Sequence, residues 1–166
     1  YEMQRSLVGS EMCIRDSEYL KKFNKANEVL EFDVSSATVE LAAEALSTEP
    51  ARIAKSLSFK DEDGCILIVT AGDGKVNNSK FKKTFGFKPK MLSFEEVSTY
   101  TGHPVGGVCP FNNPSNVKVY TDISLKRFEA VYPACGSPNS AIKLTCNELF
   151  EMSNSIDWID VCTGWE

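Results

Sequence analysis

Apolar and polar positions change period several times along this chain, and the changes mark out its elements. Ile53–Lys60 and Cys65–Ala71 read as two strands. Asp61-Glu62-Asp63-Gly64 between them predicts a β-hairpin turn, with Gly64 supplying a left-handed position. Upstream, a helix around Glu18–Ala26 leads into a strand at Val29–Val34. Ser36 or Thr38 then caps a helix whose Val39, Ala42, Ala43 and Leu46 recur at helical spacing, and a short turn follows at Glu49–Arg52. Downstream, Asn78–Phe85 reads as a helix ending at Gly86, and Ser93-Phe94-Glu95-Glu96 is a capping box opening another. Strands are expected at Val117–Thr121, Ala130–Tyr132 and Ala141–Leu144. Thr145-Cys146-Asn147-Glu148 opens a last capped helix, and Trp158–Val161 a last short strand. Hairpin-like pairings with scattered helices predict an α/β (α+β) chain built on a curved mixed sheet.

The 166 residues, 42% of them apolar, suit one domain with a core that needs no staples. That domain is expected over residues 18–166. Residues 1–17 are set apart, because Ser6–Ser17 is similar to translated sequencing-adapter sequence; read instead as a variable tail, they still carry no chemistry.

A net charge of −5 argues against a protein that holds nucleic acid by bulk electrostatics, so any such contact is expected to be local. Lys75, Lys80, Lys82, Lys83, Lys88 and Lys90 form a stretch without an acid among them. It reads equally as an RNA-contacting stripe and as a solvated helix face. Six cysteines show no Cys-x-x-Cys pair, and the single histidine is His103, so neither a metal site nor a cofactor is expected. The cysteines read as reduced thiols of a cytoplasmic protein, several of them simply small core residues. No apolar run approaches the ~20 residues that cross a bilayer, so no membrane contact is expected.

Residues 102–111, Gly-His-Pro-Val-Gly-Gly-Val-Cys-Pro-Phe, place three glycines and two prolines in an apolar stretch. Glycine admits close backbone approach and proline fixes loop shape, so main-chain groups are the binding elements such a loop offers. Together with Ala37-Thr38-Val39-Glu40, Lys55-Ser56-Leu57 and Ala134-Cys135-Gly136-Ser137-Pro138, in this order and spacing, the chain resembles the YbaK/prolyl-tRNA editing-domain family from about residue 20 onward. The family's Gly-x-x-x-Pro motif falls on Gly106 and Pro110.

The resemblance implies a barrel-like sheet wrapped by helices and a trans-editing aminoacyl-tRNA deacylase, which hydrolyses the ester of a mischarged tRNA. The expected substrate is tRNA(Pro) carrying alanine or another small amino acid. It implies a mischarged acceptor end as partner, with prolyl-tRNA synthetase as a further candidate partner. The family's lysine falls on Lys55, on a strand, where its charge can contact a phosphate or ribose oxygen. Lys60 is expected to be solvated at the hairpin end. Gly106, Gly107 and Pro110 are the other catalytic candidates, since ester hydrolysis needs positioned water and oxyanion donors that a glycine loop can supply. Ser56, His103, Val108, Cys109 and Gly136 are the substrate-binding candidates. Ser56 can bond substrate or merely cap the strand end, and His103 can line the pocket or satisfy local backbone. No Ser-His-Asp or Cys-His set is evident. Cysteine-specific relatives carry an acidic residue where this chain has Ala141, a departure that puts Cys-tRNA specificity in doubt. The alternative reading is a noncatalytic module of the same fold that binds an acceptor end or a synthetase.

Overall fold

Cys65-Ile66-Leu67-Ile68-Val69-Thr70-Ala71 is apolar on both alternating faces, the pattern of a strand covered from both sides, and every residue of it is buried. The computed structural model describes residues 18–24, 28–31, 38–62, 64–101, 108–111, 113–134 and 140–165. In chain order these form β1 (Val29–Glu31), α1 (Val39–Leu46), β2 (Ile53–Lys60), β3 (Cys65–Ala71), β4 (Lys75–Val76), α2 (Asn78–Phe85), α3 (Phe94–Thr101) and β5 (Val117–Asp122). They continue with β6 (Ala130–Pro133), β7 (Ser140–Ile142), β8 (Leu144–Thr145), α4 (Cys146–Met152), β9 (Trp158–Ile159) and β10 (Cys162–Thr163). Short 3-10 helices occupy Pro50–Arg52 and Ile123–Arg127, and residues 18–21 are helical.

Six strands make a curled half-barrel in the order β8-β6-β2-β3-β5-β9, with the two-stranded pairs β1-β7 and β10-β4 beside it. β2 and β3 are antiparallel, whereas β2–β6, β3–β5 and β5–β9 are parallel, so the sheet is mixed. The two faces of β3 carry separate cores. Leu67 and Val69 pack with Val119, Leu125, Val131, Ile142 and Leu149. Ile66 and Ile68 pack with Phe59, Phe81 and Val161. Phe81 anchors α2 there, with ring centroids 5.1 Å from Phe59 and 4.6 Å from Phe85.

Local signals place most ends. Thr38, rather than Ser36, caps α1, its hydroxyl accepting from the N–H of Leu41 at 3.2 Å. Gly86 closes α2 at φ 86°. Both capping boxes form, Ser93 with Glu96 and Thr145 with Glu148. Gly64 is required by close approach, since a Cβ there would collide with the carbonyl oxygen of Asn116.

Two expected strands divide. Ala141–Leu144 breaks at Lys143, because Ser140–Ile142 pairs with β1 while Leu144–Thr145 pairs with β6. Trp158–Val161 breaks because β9 pairs with β5, after which the chain crosses to pair β10 with β4. Asp122 governs that crossing. Fully buried, its carboxylate accepts from the N–H of Ser124 at 3.0 Å, capping a 3-10 helix, and from the N–H of Val161 at 2.9 Å. No helix among the described residues is long and apolar enough to cross a membrane.

Removing that carboxylate strands two N–H donors. Asp122→Ala is therefore expected to lower unfolding free energy by about 2–4 kcal/mol in urea titration, whereas a loss under about 0.5 kcal/mol would deny the crossing its anchor.

Candidate functional site

The inner edge of β2 pairs with β3 from Ala54 to Lys60, but the described residues cover its outer edge only in part. β6 reaches Ile53 and Ala54, and a single bridge joins Phe59 to Met91. Between these contacts a cavity of about 360 Å³ opens on Lys55, Ser56 and Leu57. α1 contributes Val39 and Ala42 to its wall, α3 contributes Val97, and Val108, Tyr132, Ala134 and Ala141 close it. The lining is mostly small and aliphatic, with the Lys55 ammonium and several hydroxyls as its polar groups. Among the described residues no histidine or carboxylate lines it.

Lys55 is held rather than neutralised. Its Nζ donates to the carbonyl oxygen of Gly72 at 3.3 Å, and burial lowers its pKa below the usual lysine value. The nearby Asp73 and Glu40 charges oppose that shift without reversing it. Gly72 begins the turn after β3, where a Cβ would collide with the carbonyl oxygen of Pro50, so only glycine brings that carbonyl so close. The turn is clamped in its turn. Arg127 donates from both terminal nitrogens to Asp73, from Nη1 to the carbonyl of Trp165 at 3.1 Å, and from Nε to that of Ser124 at 2.9 Å. Its guanidinium holds the Asp73 carboxyl below the usual carboxylate value.

The residues named from sequence meet only in part. Lys55, Ser56 and Val108 share the cavity. Cys109, expected to face substrate, is core instead. It is 0% exposed, packs with the Leu67 cluster, and turns its thiol toward the carbonyl of Phe111 at 3.5 Å, because the chain leaving the glycine loop dives into the sheet there. Pro110 is buried beside it and does not line the cavity. Gly106, Gly107, His103 and Gly136 lie outside the described residues. The loop's flanks are anchored on both sides, by Thr101, 1% exposed and donating to the carbonyl of Val97 at 2.6 Å, and by Cys109 and Phe111. Lys60 is not simply solvated: it pairs with Glu96 at 3.0 Å. Sequence reasoning missed Gly72, Asp73 and Arg127, whose only signal was the Gly72-Asp73-Gly74 turn.

The chemistry on offer is positioning and electrostatics. Burial pushes the Cys65 and Cys162 thiols up to about 11 and raises that of Cys146, so none of these is a thiolate near neutral pH. Among the described residues no group of three or more histidine, cysteine or acidic side chains is placed to hold a metal ion.

Comparison with known proteins gives one consistent picture. Residues 33–152 match the aminoacyl-tRNA editing domain family. An uncharacterized protein of Bacillus subtilis (strain 168), YwhH, is 57% identical over 149 residues, covering 89% of this chain and 95% of that protein. A proline–tRNA ligase of Bacillus velezensis is 28% identical over 126 residues, 75% of this chain and 21% of the ligase, so the chain spans about a fifth of that enzyme. The solved structure of a candidate trans-editing enzyme for prolyl-tRNA synthetase superposes with a TM-score of 0.82 at 27% identity, covering 92% of this chain and 98% of that one.

The clamp has a measurable acid signature. Because the folded Asp73 pKa lies below the unfolded value near 3.8, its stabilisation is full above that value and fades as pH falls through the folded one. Arg127→Met should flatten the fall in thermal midpoint between about pH 5 and pH 2; an unchanged slope would detach Asp73 from Arg127. Lys55→Met removes a desolvated charge, and its midpoint at pH 7 is expected to match or exceed the parent's.

Proposed function

Because the chain belongs to the aminoacyl-tRNA editing domain family, we propose that it is a trans-editing deacylase that hydrolyses mischarged tRNA, with alanine or another small amino acid on tRNA(Pro) as its substrate. The observation that carries this reading is the cavity itself: small, largely aliphatic, and walled by an unneutralised lysine. At about 360 Å³ it lies at the low end of ligand pockets, which run to ~1,000 Å³. It suits a small aminoacyl group with part of a ribose. Such a second, size-selective site is the means of removing errors that apolar contacts in a synthetase reject only ~10–200-fold.

In this reading Lys55 contacts a phosphate or ribose oxygen of the terminal adenosine. Its anchor is a neutral carbonyl and Asp73 is taken by Arg127, so the ammonium keeps its charge for the ligand. Water adds to the acyl carbon, and the ester needs donors for its developing oxyanion more than it needs a strong base. Gly106 and Gly107 remain the proposed main-chain donors of the loop that leads into Val108. Ala141 in the wall, in place of an acidic side chain, fits a small neutral amino acid.

The basic stretch supplies the longer-range contact. Lys80 is committed to Asp160 at 2.9 Å, whereas Lys82, Lys83, Lys88 and Lys90 are exposed, and no acidic side chain among the described residues pairs with them. Lys90 adjoins Met91 in the cavity wall, so along the chain the stretch leads from α2 to the cavity, and in this reading the phosphates of an acceptor stem would pass over it.

A panel of purified aminoacyl-tRNAs tests the activity; an inactive protein that still binds the acceptor end would favour the noncatalytic module. On a reactive substrate, Lys55→Ala should slow single-turnover deacylation by about tenfold or more while Lys60→Ala stays near the parent rate, and equal rates in both would remove Lys55 from the site. The enzyme-dependent rate should also fall on the alkaline side at a pH below the usual lysine value of 10.5, as the ammonium loses its proton early. Changing Lys82, Lys83, Lys88 and Lys90 to Gln should weaken tRNA binding and lower its salt dependence by roughly 0.7–0.9 in log–log slope per lost phosphate contact. An unchanged slope would leave the stripe a solvated face.

A further inference from the structure

One residue of the sheet turns its backbone N–H and C=O to the cavity with no described strand to meet them. Along an antiparallel pair, successive residues turn their N–H and C=O alternately toward the partner and away from it. The outward residues of β2 can be read from its other contacts. Lys60 N–H donates to the carbonyl of Lys90 at 2.8 Å, and the carbonyl of Ser58 accepts from the N–H of Leu92 at 3.2 Å. Cys65, opposite Lys60, correspondingly sends its N–H to Asn116 at 3.3 Å, on the far side of β3. The even-numbered residues of β2 therefore face outward, and Ala54 among them is met by β6. Ser56 is the next, and nothing described meets it. β6 ends at Pro133, one register step short, and the return segment makes its bridge only at Met91. Ser56 lies in that gap and lines the cavity.

An N–H and C=O on one residue, in a half-buried place and without a backbone partner among the described residues, make an edge of defined shape. It is complementary to a single residue that offers one donor and one acceptor on the same side. An aminoacyl ester has both, in its α-ammonium and its acyl carbonyl oxygen. We propose that the main chain of Ser56 is the docking edge for the aminoacyl group: the substrate's ammonium donates to the Ser56 carbonyl, its acyl oxygen accepts from the Ser56 N–H, and the ester lies against β2 as a strand of one residue.

This rests on the deacylase reading and deepens it. As water adds to the acyl carbon and the ribose oxygen departs with one of the water's protons, negative charge gathers on the oxygen that the Ser56 N–H holds, so this contact tightens toward the transition state. Strand-like pairing also sends the substrate side chain out of the plane of the pair, so the walls above and below the edge set the size limit, not Ser56. Lys55 acts separately, since its own N–H and C=O face β3.

Proline separates this role from the serine hydroxyl. Ser56→Pro deletes an N–H that the β2–β3 ladder does not use, a substitution strand edges tolerate, while Ser56→Ala deletes only the hydroxyl. With alanyl-tRNA(Pro) in single turnover, folded Ser56→Pro is expected to lose about 100-fold or more and Ser56→Ala several-fold at most. A protein carrying the α-hydroxy analogue of serine at position 56, with an ester in place of that N–H, should match the proline variant and keeps the test open if proline unfolds the chain. Parent-like rates in either N–H-deleted protein, or equal losses in Ser56→Ala and the ester protein, would overturn the docking edge while leaving the deacylase reading intact. A parent protein inactive on the whole aminoacyl-tRNA panel would overturn both.

Discussion

Seven residue pairs between β2 and β3, from Ala54 opposite Ala71 to Lys60 opposite Cys65, are the constraint on which both the core and the site depend. A slip by one residue would exchange the faces of every side chain on β2 and turn its outward peptide groups inward. Lys55 would leave the Gly72 carbonyl, and Ser56 would face β3 instead of the cavity. The register is pinned because β3 is buried on both sides, with Ile66 and Ile68 committed to one core and Leu67 and Val69 to the other. Neither set can be exchanged without moving large side chains into spaces shaped for others. The site therefore borrows its precision from a strand buried along its whole length.

Around that frame the charges among the described residues are arranged to leave the lysine of the cavity available. A lysine drawn partly out of water usually gains a carboxylate partner, and the carboxylate whose charge acts on it most, Asp73, is occupied by Arg127. Lys55 receives a neutral carbonyl instead. The arrangement costs stability, as the lowered pKa records, and leaves the ammonium able to meet an anionic or polar ligand without first breaking an ion pair. The turn bearing Gly72 must stay rigid for this to work. Arg127 ties it to the chain end at Trp165 and to the 3-10 helix at Ser124, two points distant in sequence.

Under the proposed function, an acidic chain would need its positive charge where the RNA lies and nowhere else. The lysines of α2 and of the segment from there to Met91 would serve that role, and Lys80, drawn to Asp160, shows that a basic stretch in sequence is not uniform in space. Lys82, Lys83, Lys88 and Lys90 are left exposed, and Lys90 directly precedes the cavity-lining Met91. Short-range electrostatics of this kind orients a partner more than it adds affinity, because distant surface charges are screened.

What the sequence determined by itself was local. Thr38, Gly86 and the two capping boxes fix helix ends through bonds that span three or four residues, and the unbroken apolar run of β3 declares a strand with two buried faces. The lysine and serine that meet in the cavity were also legible, through a motif whose members lie side by side. Tertiary structure decided the rest. Cys109 adjoins the cavity-lining Val108 in sequence yet belongs to the core, because the direction of a side chain after an irregular loop depends on what the next residues pack against. Asp122 and Val161, 39 residues apart, and Arg127 and Asp73, 54 apart, meet only when the sheet closes. The edge at Ser56 is likewise a property of three segments together: among the described residues β6 pairs only as far as Ala54 and the Met91 segment joins only at Phe59, and no local pattern in β2 records where its neighbours reach.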